Sequence, residues 1–129
     1  MRTPKLNISL LPETLAICPL SPDSTIPPWA LAGGFASITQ TEEELSIVCD
    51  QGNVPEGIRC EAGWRCLKVE GPLDLSLVGV LASMAVPLAR ANISVFAIST
   101  FDTDYLLVRE TEINKALAVL SREGHSVHS

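Results

Sequence analysis

The stretch that decides the fold begins Trp64-Arg65-Cys66-Leu67-Lys68-Val69-Glu70 and continues Gly71-Pro72-Leu73-Asp74-Leu75-Ser76-Leu77-Val78-Gly79-Val80-Leu81. Trp64 to Glu70 reads as a strand. Gly71-Pro72 is a turn, and a helix is predicted from about Leu73 to Ala91, with Pro72 and Asp74 in its first turn. Leu77, Leu81, Met84 and Leu88 recur near helical spacing, while Val78, Val80, Ala85 and Val86 fill the other faces, so the helix is expected to be covered on most sides. Pro87 should remove the bond to the Ser83 carbonyl and bend the last turn. Ile93 to Ser99 and Thr103 to Val108 read as strands, and Glu110 to Arg122 as an amphipathic helix with Ile113, Leu117 and Leu120 on one face. Gly124 suits the position after that helix, and His125 to Ser129 can add one short strand. The order is β-α-β-β-α-β, the split pattern of an α+β, ferredoxin-like fold.

Working toward the N-terminus, Leu6 to Leu11 and Glu13 to Cys18 read as two strands of a hairpin broken at Pro12. Ser21 to Pro28 is a polar, proline-rich connection, Pro27-Pro28-Trp29-Ala30-Leu31 starts a short helix, and Gly33-Gly34 stops it. Phe35 to Thr39 and Glu44 to Cys49 are strands joined by Gln40-Thr41-Glu42-Glu43, and residues 50–57 form a loop. This half has the order of the other with its second helix lost. The segment Phe35 to Val48 also resembles Phe96 to Val108, each being Phe-Ala, an apolar strand, a Thr-bearing acidic turn and a strand ending in Val. Two tandem units are therefore expected, 1–62 with its second helix reduced and 63–129 complete.

The 129 residues are 47% hydrophobic and 19% charged, enough apolar material for a sizeable core. A net charge of −6 argues against binding a phosphate backbone, so no nucleic-acid partner is expected. No long uninterrupted apolar run suggests a membrane span, the first residues do not read as a signal peptide, and a cytoplasmic location follows as the expectation. Cys18, Cys49, Cys60 and Cys66 contain no C-x-x-C and are read as reduced, buried structural residues, with no metal site and no cofactor. Both histidines, His125 and His128, lie in the last five residues, where chains fray, and phosphate-loop, dinucleotide and nucleophile-elbow motifs are absent. No enzymatic activity is expected.

Two polar turns remain. Ser99-Thr100-Phe101-Asp102-Thr103-Asp104-Tyr105 places carboxylates, hydroxyls and aromatic rings together on a chain poor in aromatics. Glu70-Gly71-Pro72-Leu73-Asp74-Leu75-Ser76 leads into a helix whose first N–H groups can receive a carboxylate. An α-amino acid, with its carboxylate and ammonium close together, fits such a pair. Equally, Asp102 and Thr103 can simply make the turn, and Asp74 can simply favour the helix dipole.

The run Ser99 to Val108, preceded by Asn92-Ile93-Ser94-Val95-Phe96 and by Gly71-Pro72-Leu73-Asp74, resembles the ACT-domain family. The likeness extends to small tandem-ACT proteins of bacteria, CASTOR-type arginine sensors of animals and aspartate kinase regulatory domains. Ile26-Pro27-Pro28-Trp29-Ala30 with Phe35 to Thr39 and Glu44 to Cys49 is similar to the first ACT of such proteins. The resemblance implies regulatory binding of a small molecule, an amino acid above all, without catalysis, where ACT units meet. It singles out Gly71, Leu73, Asp74, Ser76 and Gly79 on the loop and helix side, and Ser99, Thr100, Phe101, Thr103 and Asp104 on the strand and turn side. Asp104 would receive a ligand cation and the Gly71–Ser76 backbone a ligand carboxylate. The first unit has Gln40-Thr41-Glu42 at the equivalent turn, which speaks against two equivalent sites. A homodimer is expected from the apolar helix. The alternative is a ligand-free interaction module that dimerises or docks on an enzyme or transporter.

Overall fold

The computed structural model describes residues 4–73 and 78–129. In chain order its elements are β1 (Asn7–Leu20), a 3₁₀ turn (Pro28–Leu31), β2 (Ala36–Gln40), β3 (Leu45–Asp50), β4 (Glu61–Val69), α1 (Val80–Arg90), β5 (Phe96–Ser99), β6 (Asp104–Arg109), α2 (Ile113–Arg122) and β7 (Ser126–His128), with single 3₁₀ turns at Gln51–Asn53 and Glu110–Glu112. They form two compact units. One, the host unit, consists of residues 1–12 with 65–129; the other, the inserted unit, consists of residues 13–64. Leu6 and Ile8 thus pack with the C-terminal part of the chain.

In the host unit the run β4-α1-β5-β6-α2-β7 has the expected βαββαβ order, and the strands lie in the order β7-β1-β4-β6-β5. β7 runs parallel to β1 with Asn7 opposite Ser126, and β5 pairs antiparallel with β6 with Phe96 opposite Leu107. Ile8, Leu67, Val69, Leu106 and Val108 from the strands meet Met84 and Leu88 of α1 and Ala116 and Leu120 of α2 in one core. Each fully buried large side chain there contributes about 1.5–3 kcal/mol relative to exposure.

Both helices end by the same device. After α2, Gly124 has φ +94°, its N–H donates to the Ser121 carbonyl, and the His125 N–H donates to that of Leu120. After α1, Asn92 has φ +62°, its N–H donates to the Ala89 carbonyl, and the Ile93 N–H donates to that of Leu88. Glycine and asparagine are the residues that enter the left-handed region most readily, and each cap satisfies two carbonyls the helix leaves open. Ile93, expected in the following strand, is instead the buried residue that closes the α1 cap, so β5 starts at Phe96.

In the inserted unit the strand order is β2-β3-β1-β4. Ala16, Cys18, Leu45, Ile47 and Cys49 form its core, with Ala30 buried among them and Trp29, Ile38, Val54 and Ile58 packed against it. β1 and β3 are antiparallel with Leu15 opposite Asp50, and β2 and β3 are antiparallel with Ala36 opposite Cys49.

Three expectations are corrected. Residues 7–20 form one strand through Pro12 rather than a hairpin. A tight hairpin needs residues at positive φ, which neither Pro12 nor Glu13 adopts, and β1 instead finds separate partners in β7 and β3. The helix expected from Leu73 begins at Val80: Gly79, at its N-cap, has φ +79°, a left-handed conformation outside the helix. Asp74, Leu75, Ser76 and Leu77 lie outside the described residues. Finally, α1 is not covered on most sides. It buries Val80, Ser83, Met84, Pro87 and Leu88, and leaves Val86 45% exposed.

Candidate functional site

The β5–β6 turn is a four-residue loop closed by Thr100. Its N–H and its hydroxyl both donate to the Thr103 carbonyl, at 2.9 and 3.1 Å, and its hydroxyl oxygen accepts from the Thr103 N–H at 3.3 Å. Below the loop Ser99 and Asp104 face each other across the strands, and the Ser99 hydroxyl donates to Asp104 Oδ1 at 2.6 Å. Phe101, at the tip, is 79% exposed.

This turn is joined to the segment after β4 by two bonds. The Leu73 N–H donates to the Asp102 carbonyl at 2.7 Å, and the buried Thr103 hydroxyl donates to the Val69 carbonyl at 2.5 Å. Gly71 lies in the join. A β-carbon there would stand 2.9 Å from the Leu73 nitrogen and 3.1 Å from the Asp102 oxygen, both backbone atoms that cannot swing aside. Absence of a side chain at 71 is what lets the two segments meet.

Of the ten residues singled out from sequence, Gly71 and Leu73 are thus held directly against the turn bearing Ser99, Thr100, Phe101, Thr103 and Asp104. Thr103 spends its hydroxyl on Val69 and its backbone on Thr100, so it fixes the turn. Gly79 is the N-cap of α1, and Asp74 and Ser76 fall outside the described residues.

The inserted unit carries the same loop without the polar pair. Thr41 closes it: its N–H donates to the Glu44 carbonyl at 2.9 Å and its hydroxyl oxygen accepts from the Glu44 N–H at 3.1 Å. By register, Gln40 stands where the other hairpin has Ser99, and Leu45 where it has Asp104. Leu45 is buried, whereas Asp104 is partly open to solvent. The carboxylate-bearing version belongs to the host unit.

Sequence reasoning missed two features. His125, expected to fray, is buried. Its Nδ1 accepts from the Leu6 N–H at 3.1 Å, and its Nε2 lies 3.2 Å from the Ser83 carbonyl, a pairing that requires the neutral tautomer with the proton on Nε2. Ser83 is four residues before Pro87, so the imidazole supplies the donor that the proline cannot. The cysteines are the second feature. Cys18, Cys49 and Cys66 are buried as expected, but Cys60 is exposed. Burial pushes the Cys18 thiol up to about 12, helped by the neighbouring Cys49 and Cys60, which also hydrogen-bond with it; burial and the adjacent Asp50 raise Cys49 as well.

The family model for the ACT domain matches residues 59–122, and a second model, described as an N-terminal domain, matches residues 13–57. The chain is 32% identical over 136 residues to the cytosolic arginine sensor for mTORC1 subunit 1 of Pongo abelii, an alignment covering 99% of this chain and 36% of that protein. It spans less than half the length of the arginine sensors of this name that it matches. A structurally determined protein of Agobacterium tumefaciens superposes with a TM-score of 0.92 at 40% identity, covering 97% of this chain and 93% of that one. The ligand-free regulatory subunit of aspartate kinase from Thermus thermophilus superposes with a TM-score of 0.63 at 12% identity, covering 93% and 99%, a likeness of fold. With the ACT model on residues 59–122 and similarity along nearly the whole of this chain to the arginine sensor and to the Agrobacterium protein, the chain is a member of the ACT-domain family.

Proposed function

We propose that this protein is a non-catalytic regulatory ACT protein that binds an amino acid, and that the β5–β6 turn with the Gly71–Leu73 segment holds it. The observation that carries the reading is the Leu73–Asp102 hydrogen bond. It brings the segment before α1 against a turn whose Asp104 carboxylate is oriented by Ser99 and partly open to solvent. Asp104 receives the ligand's cationic group. The segment from Gly71 to Ser76, with Gly79, completes the site on the carboxylate side; within it the Leu73 N–H is already held by the Asp102 carbonyl. The name of the mammalian relatives makes arginine the first candidate. One such site per chain is proposed, because Leu45 replaces the carboxylate in the other hairpin. The tandem division at 62/63, with the first ACT-like unit incomplete, association into a homodimer and a cytoplasmic location belong to the same proposal; among the described residues no helix is long and apolar enough to cross a membrane.

A thermal-shift panel of the common amino acids tests it. A ligand at about a hundred times its dissociation constant adds roughly 2.7 kcal/mol of stability. Arginine or another amino acid should raise the melting temperature of the native chain, and Asp104→Ala should abolish the shift. A second reading, docking on a larger protein without a ligand, draws on the exposure of Phe101 and Val78. Under it no amino acid shifts the transition and Phe101→Ser disrupts the complex.

A further inference from the structure

Cys18, Cys49 and Cys60 all belong to the inserted unit, and the amino-acid reading above uses none of them. Ile17 and Pro19 of β1, on either side of Cys18, line a surface cavity together with Arg59 and Glu61, on either side of Cys60, so the two segments lie side by side. Side chains alternate along a strand, and Cys18 accordingly points to the other face, into the core that it shares with Cys49. There its thiol hydrogen-bonds with Cys60 and with Cys49. Cys60 is exposed, whereas Cys18 and Cys49 are buried.

Among these three, one pair is placed for a covalent bond. Cys18 is opposite Ile47 and Cys49 opposite Ala16, so Cys18 and Cys49 are diagonal neighbours. Their α-carbons are roughly 7–8 Å apart, too far for a relaxed disulfide. Cys49 and Cys60 have β1 between them, because β3 and β4 flank β1 in the sheet, and two strand spacings come to roughly 9.5 Å. Cys18 on β1 and Cys60, the residue before β4, lie on adjacent segments, where facing α-carbons of an antiparallel pair are roughly 4.5–5.5 Å apart. That separation is within disulfide range. The two thiols also differ in access: reagents reach Cys60, while burial keeps the proton on Cys18 and makes it inert toward them.

We propose that Cys18 and Cys60 form a reversible dithiol–disulfide switch, closed by a hydroperoxide and reopened by a small thiol. Cys60 gives its proton to solvent and its thiolate attacks the terminal oxygen of the hydroperoxide. An S–O bond forms, the O–O bond breaks with its electron pair on the departing oxygen, and that oxygen takes up a proton. Cys60 is then a sulfenic acid. The Cys18 sulfur attacks Cys60 Sγ; an S–S bond forms, the S–O bond breaks, and the hydroxyl leaves with the Cys18 proton as water. The two protein sulfurs together lose the two electrons that the peroxide gains. Two molecules of a small thiol reverse this by exchange, the first attacking the Cys60 sulfur and expelling Cys18, the second freeing Cys60 and becoming oxidised to a disulfide. Because the bond between residues 18 and 60 encloses most of residues 13–64, it restricts the unfolded chain and makes the closed form harder to unfold.

The test is treatment of the fully reduced native chain with hydrogen peroxide, read by intact mass, peptide mapping and thermal melting. The expected product has lost two hydrogens, yields a peptide pair linked through Cys18 and Cys60, melts at a higher temperature than the reduced chain, and returns to the starting mass with dithiothreitol. Cys18→Ala, folded by circular dichroism, should stop at a Cys60 sulfenic acid that dimedone traps, and Cys60→Ser should keep its mass. A native chain that stops at a sulfenic or sulfinic acid on Cys60 would overturn the proposal. So would a link through Cys49 or Cys66, a Cys60–Cys60 link between two chains, a Cys60→Ser chain that still loses two hydrogens, or a closed form that melts no higher than the reduced one.

Discussion

Thr103 shows how one side chain can be read in two ways. From spacing it is a turn residue, and from family likeness it is a ligand contact. Its buried hydroxyl donates to the Val69 carbonyl and its backbone is taken up by Thr100, so its work is to tie β6 to the end of β4. Thr103→Val keeps the shape and removes the buried hydroxyl's bond to that carbonyl, a loss of about 0.5–1.5 kcal/mol that urea denaturation would measure. Cys18 makes a pH-dependent prediction. Its folded-state value, about 12, lies above the ordinary 9.0, so the thiol's contribution is fully present below pH 9 and is lost as pH rises from about 9 toward 12. Stability should decline over that alkaline window, and Cys18→Ala should flatten the decline relative to the native chain.

At the scale of elements, short-range signals were legible and long-range ones were not. The 3₁₀ turn at Pro28, the β2–β3 and β5–β6 hairpins, the Gly124 cap and the last strand follow from residues within a few positions of one another. The start of α1 does not, because apolar spacing runs on through Leu77 and Val80 and gives no sign that Gly79 turns left-handed between them. Nor does β1, whose continuity through Pro12 depends on strands from opposite ends of the chain. His125 is the sharpest case, with one partner 119 residues away and the other 42. Its link to Pro87 can be measured. His125→Ala should cost about 2–4 kcal/mol, since two buried backbone groups lose a partner. In a Pro87→Ala background the restored N–H can bond to the Ser83 carbonyl itself, so the same substitution should cost about 1 kcal/mol less in the double-mutant cycle. Equal costs in both backgrounds would show that the imidazole does not compensate for the proline.

For the whole molecule, the βαββαβ order and the Ser99–Val108 run already pointed to the ACT-domain family, and the family match bears this out. The candidate site was legible in part. The turn at 99–104 could be picked out because its polar residues are contiguous, while its join to Gly71 and Leu73 required the folded backbone. The comparison between the two hairpins adds what neither half reveals alone: the same threonine-closed loop occurs twice, and a carboxylate sits beneath only one copy, Asp104 against Leu45. That asymmetry predicts one binding event per chain. Isothermal titration calorimetry of the native protein, with arginine first and then each other common amino acid, tests this most directly. The account predicts saturable heat from at least one of them at a stoichiometry of one per chain, lost in a folded Asp104→Ala variant; heat from none, or heat that Asp104→Ala leaves unchanged, would contradict it.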